Sequence, residues 1–200
     1  MIYICKGGHL MNIEGILPFA RTLLEKVVTE GSAVVDATVG NGHDTVFLAK
    51  LVGESGHVFG FDIQEQALVN TTARLQEQGL SERVTLFAHG HEQAASSLPG
   101  DWHGRLTGAI FNLGYLPKGD KTIVTKPDTT IAAVEQILSM LTPGGIIVLV
   151  IYHGHGEGAA EKTELLSFAE TLDQKKAHVL RYEFINQANN PPFIVAIEKR

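Results

Sequence analysis

Two rhythms of apolar positions alternate along this chain. Short runs at 33–37, 57–62, 84–88, 108–112 and 146–152 are apolar at nearly every position. Between them, apolar residues recur every three or four places. Near-continuous short runs read as strands buried on both faces of a parallel sheet, and the 3.6-residue rhythm reads as amphipathic helix. An N-terminal helix carries Ile16, Phe19, Leu23, Leu24, Val27 and Val28 on one side. Further helices are predicted over 44–52, 65–78, a short stretch from about Glu92, 127–141 and 161–172. In the 127–141 helix, Ile131, Val134, Ile137, Leu138 and Leu141 form the buried face. The runs 179–185 and 193–198 predict a terminal hairpin across Asn189-Asn190-Pro191-Pro192. Strands alternating with helices predict an α/β fold: a seven-stranded, mostly parallel sheet ending in an antiparallel hairpin, with helices on both faces.

Composition narrows the class. The chain has 200 residues, 44% of them hydrophobic and 19% charged, which suits one globular domain rather than a disordered chain. The single cysteine, Cys5, excludes an intrachain disulfide and a cysteine-based zinc cluster, and it agrees with a cytoplasmic setting. No apolar run approaches the roughly 20 residues of a membrane span. With a net charge of −6, nucleic acid would have to bind a local basic patch. Lys6-Gly7-Gly8-His9-Leu10-Met11 can be encoded by a purine-rich ribosome-binding sequence just before an ATG. We therefore expect residues 1–10 to be a translated leader and the domain to span 11–200.

Candidate chemistry gathers at predicted strand ends. Val34-Val35-Asp36-Ala37-Thr38-Val39-Gly40-Asn41-Gly42-His43-Asp44-Thr45 is a strand, a glycine turn and a helix start. Asp62 closes the next strand, where an acid can accept hydrogen bonds from ribose hydroxyls. Asp36 lies just before the turn, in reach of a cationic sulfonium. Thr45 takes the place of the third glycine in G-x-G-x-x-G, which disfavours a dinucleotide pyrophosphate needing several bare N–H groups. The pattern therefore predicts binding of S-adenosylmethionine, with S-adenosylhomocysteine as product. Asp36, Thr38, Gly40, Asn41, Gly42, Asp62 and Ile63 are its expected contacts, joined by Gly90, His91 and Asn112.

The layout is that of a class I methyltransferase. Asn112-Leu113-Gly114-Tyr115 is similar to the Asn-Pro-Pro-Tyr element of amino-directed methyltransferases. That likeness implies that the Asn112 side chain and the Leu113 carbonyl accept hydrogen bonds from a target amine, with Tyr115 stacking on the base. The chain from Met11 onward resembles a small family labelled as ribosomal RNA methylases. Its bacterial members methylate 5-aminomethyl-2-thiouridine at the tRNA wobble position. The resemblance rests on Ile16-Leu17-Pro18-Phe19-Ala20, the Asp36–Gly42 turn, Asn112–Pro117 with Gly119-Asp120-Lys121, Thr125-Lys126-Pro127 and Tyr152-His153-Gly154-His155. It implies a tRNA anticodon loop as partner and a homodimer. Lys118, Lys121 and Lys126 are candidates for phosphate contacts, and Tyr115, His91 and His153 for proton acceptance or stacking.

Many methyltransferases carry an adenine-binding acid where this chain has Gly90, so a backbone carbonyl or His91 would have to substitute. His89-Gly90-His91 and His153-Gly154-His155 could in principle bind zinc. Methyl transfer needs no metal, and site-lining polarity is the plainer reading. Arg74, Arg83, Lys175 and Lys176 are expected on exposed faces. Other activities stay open at this point: methylation of a ribosomal RNA base or a small amine, a nicotinamide-dependent oxidoreductase, and a catalytically idle RNA-binding protein.

Overall fold

The computed structural model describes residues 12–114, 124–153, 156–188 and 190–200, without the side chains of 156–160. Tyr115, Lys118, Lys121, His155 and the expected 1–10 leader lie outside the described residues. The elements run α1 (Ile16–Glu25), β1 (Ala33–Asp36), α2 (His43–Leu51), β2 (His57–Phe61), α3 (Glu65–Glu77), β3 (Val84–Phe87), α4 (Ala94–Ser97), β4 (Leu106–Leu113), α5 (Pro127–Met140), β5 (Leu141–Ile151), α6 (Gly156–Thr171), β6 (Ala177–Tyr182) and β7 (Phe193–Lys199). They form one seven-stranded sheet in the order β3-β2-β1-β4-β5-β7-β6. The first five strands are mutually parallel, and β7 runs antiparallel to both β5 and β6. This is the Rossmann-like sheet with a terminal hairpin that the alternating rhythms predict.

Strand periodicity divides the core into two layers. In β4, Ala109, Phe111 and Leu113 pack with Ala133, Val134 and Ile137 of α5 and with Leu165 and Ala169 of α6. The intervening Ile110 joins Leu23 and Leu24 of α1 and Val46 and Leu48 of α2. Each fully buried aliphatic side chain contributes about 1.5–3 kcal/mol, and β5 is buried at every position from Ile146 to Ile151. The same alternation places Asn112 on the Ile110 side of the sheet, toward α1 and α2.

The chain winds outward through β2 and β3, then returns to lay β4 on the other side of β1. The loops after β1 and β4 part there and open a crevice beyond the carboxyl ends of the strands.

Several boundaries differ from the predicted ones, three of them by three residues or more with a visible cause. β5 starts at Leu141, straight from α5, and Leu141 pairs with Leu106. A register break between Leu106 and Gly108 accommodates Pro143-Gly144-Gly145, with Gly144 at φ 82°. Hydropathy cannot register such a bulge, so the apolar run predicts this strand only from Ile146. β6 ends at Tyr182, so Ile185 is 94% exposed rather than in a strand. α6 begins at Gly156, before any apolar rhythm is visible. Among the described residues, no helix is long and apolar enough to cross a membrane.

Candidate active site

The crevice is a cavity of about 1030 Å³. Its wall includes Thr38, Gly40 and Asn41 after β1, Asp62 and Ile63 after β2, and Gly90, His91 and Glu92 after β3. Asn112, Tyr152 and the Thr125-Lys126 pair close the other side, and Arg21 and Asp44 lie at its edge.

The glycine turn is held from outside by polar side chains. Gly42 sits at φ 75° just before α2, and a Cβ there would come within 2.6 Å of Thr71 Oγ1. Only glycine meets both demands. Thr71 Oγ1 donates to the Gly40 carbonyl at 3.1 Å, and Arg74 Nε to the Asn41 carbonyl at 3.0 Å. Arg74 is therefore a part-buried brace of the turn, not the freely exposed residue expected. Asp62 accepts from the Gly40 N–H at 2.8 Å and the Gln64 N–H at 2.9 Å. The carboxylate is half-buried and borders the cavity, so it retains lone pairs for ribose hydroxyls. Ile63 stands beside it, 61% exposed, and offers an apolar surface for a flat base.

Asp36 requires a correction. Its carboxyl is fully buried and does not border the cavity. It accepts from Thr45 Oγ1 at 2.6 Å and the Thr38 N–H at 3.2 Å. The threonine in the third-glycine place is what draws Asp36 inward, so Asp36 shapes the turn instead of reaching a sulfonium. Burial pushes its pKa up to about 7 from 3.8, opposed by the Thr45 and Thr38 hydrogen bonds. In the fold the proton is held to about pH 7, whereas the unfolded chain releases it near 3.8. Stability tied to this group is therefore full at low pH and lost as pH climbs from about 4 to about 7. Asp36→Asn cannot ionise, so the wild-type urea midpoint should fall relative to that of the variant over that window. Parallel pH profiles for the two proteins would contradict this.

Gly90 carries no acid, yet an acid lies beside it. A Cβ on Gly90 would stand 2.6 Å from the Glu92 carboxyl carbon. Glu92 thus fills the space that a residue-90 side chain would take. Gln136 fixes this segment, donating to the Glu92 carbonyl at 2.7 Å and accepting from the Ala95 N–H at 2.8 Å. His91 is buried, with Nδ1 2.9 Å from the Ala37 carbonyl. A carbonyl only accepts, so Nδ1 carries the proton. Burial lowers the His91 pKa and keeps the ring neutral, and its Nε2 is buried without a partner among the described residues. His91 lines the cavity as a neutral ring packed edge-on to Phe111 and leaves no open nitrogen for proton transfer.

On the acceptor side, the Asn112 N–H donates to Thr38 Oγ1 at 2.7 Å, which ties the ends of β1 and β4 together. Its Nδ2 donates to Asp44 Oδ2 at 2.9 Å. Arg21 Nε and Nη2 take Asp44 Oδ1 at 3.0 and 2.8 Å, and the guanidinium lies over Phe47 at 5.0 Å.

Two further expectations need correction. The Leu113 carbonyl accepts from the Tyr152 N–H at 3.2 Å, because the β4–β5 ladder continues one residue past the strand. Leu113 itself is fully buried and does not border the cavity. His153 also faces away, its ring 5.5 Å from that of Phe193 and its Nε2 buried without a partner among the described residues. With side chains alternating along the chain, Tyr152 takes the cavity position that His153 does not. Lys126 does line the cavity. Next to it, Thr125 Oγ1 donates to Glu161 at 2.8 Å, and Thr130 Oγ1 to the same carboxyl at 3.0 Å.

The set fits S-adenosylmethionine. An apolar face beside a ribose-competent acid suits adenosine. Asp44 is neutralised by Arg21, and Asp62 and Glu92 against Lys126 leave a lining compatible with a sulfonium. Among the described residues, no three His, Cys, Asp or Glu side chains gather as a metal site.

Sheet order, crevice and turn define an S-adenosylmethionine-dependent methyltransferase of the Rossmann-like class. The family described as "Putative rRNA methylase" matches residues 58–198, and the chain belongs to it. It is 33% identical to the chloroplastic tRNA (mnm5s2U34)-methyltransferase of Arabidopsis thaliana, over 96% of this chain and 72% of that protein. A crystal structure of a "putative rRNA-methylase" from Clostridium thermocellum superposes with a TM-score of 0.91 at 47% identity, covering 95% of this chain and 100% of that one. SMU.1697c of Streptococcus mutans, in complex with S-adenosylhomocysteine, gives 0.85 at 38% identity, covering 94% and 99%. The chain is thus a methyltransferase of the rRNA and tRNA type that uses S-adenosylmethionine on RNA.

Proposed function

We propose that this enzyme methylates the exocyclic amine of 5-aminomethyl-(2-thio)uridine at the tRNA wobble position, giving the 5-methylaminomethyl nucleoside. The observation that carries this reading is Asn112. Its amide nitrogen is committed to Asp44, which leaves Oδ1 as an acceptor at the cavity wall. An acceptor there suits a nucleophile that carries N–H bonds. The plant relative's name, a tRNA (mnm5s2U34)-methyltransferase, supports the same substrate.

S-adenosylmethionine supplies an activated methyl group on a cationic sulfur. Asp62 would hold the ribose, Ile63 and Glu92 the adenine, and the Thr38–Asn41 turn the remainder. Asn112 Oδ1 would accept one amine N–H and aim the nitrogen lone pair along the methyl–sulfur bond. The nitrogen–carbon bond forms as the carbon–sulfur bond breaks, and the amine then sheds a proton. The Nε2 atoms of His91 and His153 are buried, so the proton passes to solvent and Asn112 acts by orientation, which can supply a large part of the rate. Tyr152, half-buried on the same wall, offers a ring against the target base.

RNA needs cations despite the net charge of −6. Besides Lys126, an adjoining groove of about 330 Å³ is lined by Arg21, His43, Lys50 and Arg74 over Val46 and Phe47, and it shares Arg21 and His43 with the cavity. Lys50→Glu should weaken tRNA binding and flatten the salt dependence of log affinity by about 1–2, with donor affinity unchanged. An unaltered slope would remove the groove from the account.

A second reading, a ribosomal RNA base, is favoured by the family's description. Counting labelled methyl groups transferred to tRNA, to ribosomal RNA and to free amines separates the two. Labelling confined to tRNA supports the wobble reading, and labelling of ribosomal RNA or amines alone rejects it.

A further inference from the structure

We infer that Arg21 and Asp44 are positioning residues that set the polarity of Asn112, so that its oxygen and not its nitrogen meets the acceptor amine. This rests on the amine-methylating reading above and adds to it the residues that make Asn112 selective for an N–H-bearing nucleophile.

An asparagine amide is nearly symmetric in shape, and either end can face a cavity. The neighbours decide. Asp44 as a carboxylate can only accept, so the group 2.9 Å from its Oδ2 must be the Asn112 nitrogen. Arg21 can only donate, and its two contacts at 3.0 and 2.8 Å occupy Asp44 Oδ1. The row therefore has one consistent direction: Arg21 donates to Asp44, Asn112 donates to Asp44, and Asn112 Oδ1 is left to accept. Asp44 is 15% exposed at the cavity edge, in the first turn of α2, and Arg21 is 39% exposed on α1. Among the described residues, the hydrogen bond from the pair to a strand end is the one to Asn112. Its placement follows from the side of β4 that faces these two helices.

The row predicts an unusual mutational pattern. In Asp44→Asn, Arg21 still demands an oxygen, so the new amide turns its nitrogen toward Asn112. Asn112 must then rotate to accept, and its nitrogen faces the cavity. A donor now meets the amine's N–H groups. Turnover should fall roughly 100-fold, the scale of one misdirected polar group in a reaction centre, with donor affinity within about threefold of wild type.

Combining Asp44→Asn with Asn112→Asp repairs the direction. The new amide on α2 donates to the new carboxylate at the end of β4, whose second oxygen faces the cavity as an acceptor. This double variant should recover at least about tenfold over the single one. Its pH–rate profile should shift upward, because a carboxylate beside the amine favours the ammonium form that cannot attack.

The test combines three readouts on the full chain: donor affinity, methyl transfer to tRNA bearing the aminomethyl nucleoside, and NMR exchange of the Asn112 side-chain amide protons. The inference requires slow exchange of the Asn112 amide in wild type, faster exchange in Asp44→Asn, and rescue by the double variant. Equal amide exchange in wild type and Asp44→Asn would overturn it. So would a double variant no better than Asp44→Asn while donor affinity is intact. Should Asp44→Asn fail to bind donor, Arg21→Met is compared with wild type at saturating tRNA, because Arg21 also lines the RNA groove: Asp44 then keeps its contact to Asn112, so the Asn112 amide should stay slow to exchange and kcat should fall less than about tenfold, and fast exchange or a larger fall would overturn the inference. A protected amide in wild type without transfer to that tRNA would instead defeat the substrate reading and leave the positioning intact.

Discussion

Asn112→Ala should lower turnover about 100-fold while donor affinity stays near the wild-type value. The side chain donates to Asp44 and lines the cavity after β4, whereas Asp62 and Ile63 line it after β2. Its backbone N–H, which ties β4 to Thr38 at 2.7 Å, survives the substitution. The strand end should therefore keep its place. Steady-state kinetics with tRNA, beside calorimetric titration of the donor, separates the two quantities. A loss of less than about threefold, well under one energy decade, would mean that the acceptor is oriented elsewhere.

Asp62→Ala should show the opposite split. Two charge-assisted hydrogen bonds to a ribose are each worth about 1.5–3 kcal/mol, so donor affinity should fall by roughly 100-fold or more. The Gly40 and Gln64 N–H groups lose their acceptor as well, but they sit at a half-exposed wall where water can replace it. The fold should survive, and raising the donor concentration should restore much of the rate. Titration of the donor against the variant is the check. Unchanged affinity would place the ribose elsewhere in the crevice.

These two residues are among those that the sequence makes visible, and the reason is positional. Asp62 ends a strand twenty residues after the glycine turn, and Asn112 ends another strand. A polar side chain that closes an apolar run has few reasons to be there other than the site beyond it. The sheet is legible for a similar cause, since strands buried on both faces must be apolar at nearly every position.

Asp36 shows where that logic misleads. It too ends an apolar run, yet its buried carboxyl serves Thr45 and Thr38 inside the turn. The threonine in the third-glycine place is the available sign of that contact. Asp44, Arg21 and Arg74 lie on helices, where charged residues are ordinary solvent-facing or dipole-compatible choices. Only the packing of α1, α2 and α3 around the turn brings them to the site. Glu92 is hidden for another reason: it reaches the space above Gly90 from two residues away, through a tight helical turn that hydropathy does not register. The exchange of roles between His153 and Tyr152 is a one-residue question of strand parity, decided by where β5 stops.

Wobble methylation can be read directly from the product. Its most direct test is nucleoside mass spectrometry after incubating the protein and S-adenosylmethionine with tRNA that carries 5-aminomethyl-2-thiouridine. The account predicts conversion to the 5-methylaminomethyl nucleoside, a gain of one methylene in mass, abolished by omitting the donor. An unchanged nucleoside, with donor binding confirmed on the same preparation, would contradict it.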